Sequence, residues 1–589
     1  MPSKPPVWQD LKIESFSGGL NTSNREELID DGELTVCTNL IIKQNKLLID
    51  SGYIKFGSVI RGTPQTDYQY FQRNGLNELV LITTDTVYKY IAAALQWQYI
   101  KGTLSVLTTA IVAAGATSMT VASIVGFAND QYIGINLTDG TQHQTRINGA
   151  PSGVTITFDD AIPVGKSAAN SAVVMLAVIL TGDLDNQISI DLVPSTDWLV
   201  FTNGIDLPQR YNGIDCVQLP GLPAGVTSCK VLINYNAALF MGHVTEGGLL
   251  FPQRIRRTDI GDPTNWTTGL SGFDDLLDGA DFITAIATMG PYLIVYRDRS
   301  IVRGQFVNTA GRVYQFDTLV AGEGVVSTQG IVDLNSEHLI FGNAGIYSFT
   351  GGYDLNSIDD NIFYSLFSTS GNLNPSFRQR IFAFYVEELD EAWFFYPSTL
   401  SENPDTLLRY NISDKTWAER KFNNMFVGFG FYQSVATHRW LDLIGDWTVQ
   451  TWSWNSRSVA SNSPTTHLMS PDKTMVLEYN YISPNDDGVA INATLVTKDY
   501  FNGDVSMRHD MFQFYAKGDN ILVKYSIDLG VTYQDLGSVS STTMVIHTLN
   551  KQFICDKIRY KIISNSQNFE FRWVRINFRE EAGTMFRGS

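Results

Sequence analysis

Apolar residues in this chain come in short runs broken by Gly, Asn, Asp, Ser and Pro, and no stretch carries the three-and-four spacing of a long amphipathic helix. Residues 78–83 and 86–90 face each other across a short turn and predict a hairpin, with 97–100 as the next strand. The same style recurs downstream. Residues 198–202 lead to 210–213, 292–296 to 300–303, 338–342 to 345–349, and 392–396 to 407–411 and Trp417. Each unit is an apolar strand, a turn, and a second strand running into polar turn residues. Units that return about every 45–60 residues suit the four-stranded blades of a β-propeller, with a stacked β-sandwich as the rival.

The stretch 104–180 breaks this pattern. It is rich in Ala, Thr and Val, nearly free of aromatics and low in charge, and 118–121, 132–137, 144–147 and 154–158 predict strands of its own. Residues 456–474 open on Ser, Asn and Thr and suggest a linker. Strand-length runs then resume at 475–479, 490–496, 511–516, 521–526, 557–563 and 570–578, which suits a β-sandwich. Near the start, 16–21 looks extended, and Asp30 and Asp31 ahead of Leu34 suggest one short helix within 25–40. The expected fold is all-β: a β-propeller with an inserted small β domain and a C-terminal β-sandwich-like domain. The expected divisions are an N-terminal segment with the first propeller strands (1–103), the insert (104–180), the propeller body (181–455), the linker (456–474) and the C-terminal domain (475–589).

Composition sharpens this picture. At 589 residues the chain is too long for one ordinary domain, and 12% aromatics with 48 glycines fit many short strands and tight turns. The net charge of −18 argues against a protein that grips phosphates, which needs Lys and Arg to displace counterions, but allows an acidic wall past which DNA slides. Cys37, Cys216, Cys229 and Cys555 match no zinc spacing and suggest free thiols in a reducing cytosol. Residues 1–12 lack an apolar signal core. The uncharged run 102–129 is long enough to span a membrane, but its Thr and Ser content and its alternation predict strands and no membrane span.

Candidate chemistry is sparse. No two of the seven histidines lie closer than 29 positions, so no local metal or catalytic pair is expected. Gly165-Lys166-Ser167 lacks the earlier glycine of a phosphate loop, because position 160 is Asp160. Acidic groups occur at Asp274, Asp275, Asp278 and Asp281, at Asp359 and Asp360, and at Glu387, Glu388, Asp390 and Glu391, but proximity in sequence does not make a hydrolytic pair; 387–391 is read as a solvated hairpin turn, and 274–281 as a candidate calcium site. Residues 526–533, Ser-Ile-Asp-Leu-Gly-Val-Thr-Tyr, resemble the Asp-box of sialidases, a folding device in which Asp ties down a hairpin turn and an aromatic packs beneath it. No catalytic residue, cofactor or metal is assigned.

The densest punctuation is at 256–266, where Asp259, Gly261, Asp262, Pro263 and Asn265 crowd ahead of Trp266. Such a run builds a tight corner, and the large indole that ends it has to be buried. This string, with Phe16-Ser-Gly-Gly-Leu-Asn-Thr, Gly52-Tyr53, the segment 115–127, Thr497-Lys-Asp-Tyr-Phe and the 526–533 hairpin, resembles the tail tube or nozzle proteins of short-tailed bacteriophages, the tail tubular protein B and P22-type tail hub group. Asp259, Gly261, Asp262, Pro263 and Trp266 match that family's central string as its structural signature. The resemblance implies a hexameric ring in the virion tail, assembled in the host cytoplasm below the portal and head-to-tail adaptor. It implies contacts with tail fibres or a needle, and a channel through which genomic DNA passes without sequence-specific binding. The expected function is structural, not enzymatic; the alternative is a propeller-based receptor-binding or carbohydrate-active tail protein.

Overall fold

A computed structural model describes residues 8–43, 45–309, 312–433, 464–480, 483, 485–501 and 506–580. The recurring strand units form seven four-stranded antiparallel blades of a β-propeller; six are separate sheets, and the strands of the sixth blade, Phe382–Val386 to Thr416–Lys421, run on through Glu33–Thr38 into the large sheet of the terminal domain. The first blade is built from Pro64–Phe71, Asn77–Thr83, Val87–Ile91 and Gln96–Tyr99. Blades two to six follow in order, their innermost strands being Ser189–Val193, Val226–Tyr235, Ile283–Met289, Ile331–Asp333 and Phe382–Val386. The seventh combines Gly428–Tyr432, Thr465–Ser470 and Met475–Asn480 with Gly52–Phe56, a strand from the other end of the chain. Apolar clusters fill every seam between neighbouring blades. Leu81, Tyr88, Trp97, Met469 and Val476 close the ring between the seventh and the first.

The small domain spans Lys101–Leu107 to Val173–Ala177, has its own four-stranded sheet and its own apolar core, and leaves and rejoins the propeller through paired neighbours Lys101 and Ala177. Glutamine side chains bind it to the outermost strand of the first blade. Gln96 Nε2 donates to the Gln142 carbonyl at 2.9 Å, Gln98 Nε2 to the Gly140 carbonyl at 2.9 Å, and Gln144 Nε2 to the Trp97 carbonyl at 2.6 Å. These amides satisfy an edge that has no strand beside it, which docks the insert against the blade.

Both chain ends build the terminal domain. Its spine is a long hairpin, Met507–Ser526 with Gln534–Cys555. The first half of Met507–Ser526 also pairs with Glu570–Glu580, and the second half with Lys557–Ser564. The two wings enclose one core, where Phe512, Phe514, Tyr560 and Phe571 meet Phe16, Leu20 and Leu34. Trp8–Ile13 pairs with Glu570–Glu580, and Glu33–Thr38 with Ala493–Thr497.

Three expectations are corrected. Residues 25–40 hold no helix: Glu33–Thr38 is a strand, and the Asp30 N–H is taken by Glu33 Oε2 at 2.9 Å within a turn. Residues 8–49, expected as an N-terminal segment grouped with the first propeller strands, pack mostly into the terminal domain, whose core their apolar side chains complete. The linker at 456–474 falls partly outside the described residues (456–463), and Thr465–Ser470 is an almost wholly buried strand, so the propeller continues to Asn480. Polar Thr465, Thr466 and His467 disguise it; His467 Nδ1 lies 2.5 Å from Asp67 Oδ2 inside the seam between the seventh and first blades.

Candidate functional site

The corner at 256–271 connects the third and fourth strands of the third blade. Asp259 Oδ1 accepts from the backbone of Ile260 at 3.1 Å and of Leu270 at 2.9 Å, fastening both ends of the loop. Asp262 Oδ1 accepts from the Thr264 N–H at 2.9 Å, and Asn265 Oδ1 caps Thr267 and Thr268. Gly261, at φ +80°, donates to the Ala237 carbonyl at 2.8 Å, which ties the loop to the hairpin turn beneath it. Trp266, 2% exposed, drives into the seam between the second and third blades among Val193, Val200, Leu219 and Leu239. Among the described residues its Nε1 has no hydrogen-bond acceptor. Of the five signature residues, Pro263 and Trp266 are buried and Asp259 fastens the loop, while Gly261 and Asp262 are exposed in its turn.

The acids beside this corner face arginines. Arg254 binds Asp275 at 2.7 Å and Glu246 at 3.0 Å, Arg256 binds Glu246 at 2.5 Å, and Arg257 binds Asp274. Burial alone would raise the Glu246 carboxyl, but Arg256 and Arg254 outweigh it and hold it below the usual range. Arg297 lies between Asp278 at 3.0 Å and Asp281 at 3.1 Å. These guanidiniums take the place that the calcium reading of 274–281 gave to a cation. Among the described residues no group of three or more His, Cys, Asp or Glu side chains is placed to hold a metal ion.

A second joint gathers residues that lie far apart in the chain. Arg559 clasps Asp499 through Nε at 2.8 Å and Nη2 at 2.6 Å, and also pairs with Glu26. Lys557 binds Glu27 at 2.6 Å and Lys498 binds Asp31 at 2.7 Å. In the Asp-box-like turn, Asp528 accepts from the Thr532 N–H at 2.9 Å, Ser526 Oγ accepts from the Gly530 N–H at 2.8 Å, and Gly530 lies against Arg559 with φ +83°. A Cβ there would stand 2.7 Å from Arg559 Nη1. The 497–501 string, the 526–533 turn and the N-terminal segment therefore share one arginine. Nearby, Phe16 is buried, Gly19 at φ +74° leaves room for the Trp417 carbonyl, and Thr22 donates to the Asn361 carbonyl at 2.7 Å.

A third joint was not foreseen from the sequence. Asp50, Glu391, Arg409, Arg420 and Asp486 are each no more than 5% exposed. Arg409 bridges Asp50 at 2.7 Å and Glu391 at 2.7 Å, and Arg420 holds Asp486 at 2.7 Å. Burial would raise Asp50, but Arg409 and Arg420 reverse that and hold it low; burial prevails at Glu391, which is raised. Asp50 lies where the chain leaves the terminal domain for the propeller, and Asp486 where it returns. Both crossings are anchored on the sixth blade.

One mouth of the propeller axis is bridged. Gln187, ahead of the second blade, donates to the Ile381 carbonyl at 2.8 Å and accepts from the Gln329 N–H at 3.0 Å, ahead of the sixth and fifth blades. Gln329 Nε2 returns to the Ile188 carbonyl at 3.0 Å, and Asp185 pairs with Arg380 at 2.6 Å. The four cysteines are unpaired and buried, and burial pushes the thiols of Cys37, Cys229 and Cys555 up to about 12, where they are poor nucleophiles. Among the described residues no helix is long and apolar enough to cross a membrane.

No family model matches the chain, and no curated protein does. Among solved structures, the computationally designed Ika8 protein is 9% identical with a TM-score of 0.32, covering 72% of this chain and 99% of that one. An exo-β-1,3-galactanase from Phanerochaete chrysosporium is 10% identical with a TM-score of 0.23, covering 66% and 95%. A Bacteroides ovatus xyloglucan-locus protein, GH43B, is 8% identical with a TM-score of 0.22, covering 67% and 97%. Likeness of this size carries no argument about activity, and the propeller assignment stands on the seven blades and their seams.

Proposed function

We propose that this chain is a structural subunit of a bacteriophage tail nozzle or hub, a ring below the portal and adaptor that forms the channel for genome ejection. The observation that carries this reading is where the resembling strings sit. Residues 16–22, 256–266, 497–501 and 526–533 are built into joints between segments that the chain brings together only on folding. A protein whose distinctive residues serve rigidity fits a load-bearing scaffold. The ring is six-fold by resemblance, its outer surface meets fibres or a needle, and DNA slides through without sequence readout.

The rival reading is a carbohydrate-active or receptor-binding tail protein on the same fold. Such an enzyme works with two free carboxylates facing each other in a cleft. Here Asp274, Asp275, Asp278 and Asp281 are spent on arginines. Negative-stain imaging of the purified protein, alone and with portal and adaptor, tests the proposal. Closed rings with a central channel are expected; a single copy per virion, or turnover of a host glycan by the isolated chain, would overturn it.

A further inference from the structure

The strand Gln534–Cys555 runs for 22 residues and, among the described strands, pairs only with Met507–Ser526, so no described strand lies along its outer edge. Of these residues only Cys555 is buried. Monomeric proteins blunt such edges with charge, proline or short length. This one does little of that: residues 536–550 contain no Asp, Glu, Lys, Arg or Pro, and Ile546 is 57% exposed. Register shifts break the ladder near Gly518 and between His509 and Met511, which leaves a regular stretch where Asn550 to Val545 pair with Met511 to Ala516. The same wing ends on its other side in Trp8–Ile13, which pairs only with Glu570–Glu580 among the described strands.

We propose that the open edge of Gln534–Cys555, centred on 545–550, is the seam that holds a second copy of this chain. The inference deepens the ring reading and rests on it for the identity of the occupant. Size agrees. A strand of 22 residues at about 3.3 Å each reaches about 70 Å, and a strip about 10 Å deep along it offers about 700 Å², close to the roughly 800 Å² per partner of a stable interface. Geometry agrees as well, since a closed ring needs each subunit to present one edge and receive at another, and this wing has two.

The test uses the full chain at high micromolar concentration, with sedimentation velocity for assembly and amide hydrogen exchange for the seam. Wild type should self-associate, with exchange across 545–550 slowed in the assembly. The double variant Ile546→Lys with Asn550→Lys, which places edge lysines at exposed positions, should weaken association by at least about tenfold while keeping the wild-type melting temperature. Rings that form with unslowed exchange at 545–550, or that survive the double variant, overturn the seam and leave the ring reading intact. Symmetric dimers that pair through this strand and never close into rings support the seam and sink the ring reading. A wild type that stays monomeric overturns the seam.

Discussion

Trp266 and Asp191 show how much single side chains carry. Trp266 is the largest side chain buried in its seam, so Trp266→Ala leaves a cavity between the second and third blades and should cost roughly 3–5 kcal/mol in urea unfolding. Because its Nε1 makes no hydrogen bond among the described residues, Trp266→Phe should lose only packing and cost clearly less. Asp191 lies on the innermost strand of the second blade, where its carboxylate accepts from the backbone of Asn234 and Leu192 at 2.7 Å each. Burial pushes it up to about 6, which those two donors only partly offset. Unfolded, it titrates near 3.9, so the native state binds this proton more tightly. The cost of ionisation is therefore present above about pH 6 and is relieved as pH falls from there toward about 4. Urea unfolding between pH 7 and 5 should show wild type gaining on the order of 1 kcal/mol relative to Asp191→Asn, with the rest regained toward pH 4.

At the scale of elements, the insert and the Asp-box-like turn make opposite predictions. The insert has its own core and departs from neighbouring residues, so replacing 102–176 with a two-glycine turn should leave the propeller folded and remove one calorimetric transition. A propeller that fails to fold would mean that the glutamine contacts to the first blade are indispensable. Gly530→Ala, by contrast, meets both a left-handed backbone and Arg559, and should cost about 1–3 kcal/mol and speed exchange across 526–533. The elements differed in how legible they were. Strands such as Tyr292–Arg297 and Glu391–Tyr396 announce themselves because every blade repeats one local apolar pattern. A tryptophan at the end of a run of turn formers has to be buried, and Trp266 is. Thr465–Ser470 hid because a buried His467 reads as polar until Asp67, 400 positions away, is beside it. The Arg559 joint hid for the same reason: Glu26, Asp499 and Gly530 meet only in three dimensions.

At the scale of the molecule, charge and the bridged axis act together. With Gln187 and Gln329 spanning one mouth, the propeller axis gives DNA no passage, and any lumen in the proposed ring lies between subunits. Each subunit brings 60 acidic residues against 42 basic ones, and a cyclic assembly repeats the same patch around its axis. The ring should therefore have a mostly acidic wall, with basic residues confined to lateral contacts or narrow collars. A reconstruction of the ring checks this directly; a broadly basic wall, or tight and salt-sensitive duplex binding, would contradict it. The strand Gly52–Phe56 carries a further consequence, for synthesis. It completes the seventh blade against Met475–Asn480, so it leaves the ribosome roughly 420 residues before its partner. At about 5–20 residues per second it waits about 20–85 s with its ladder open. The propeller closes only near the end of translation, and a nascent chain stalled before residue 475 is a protease-sensitive, chaperone-dependent species.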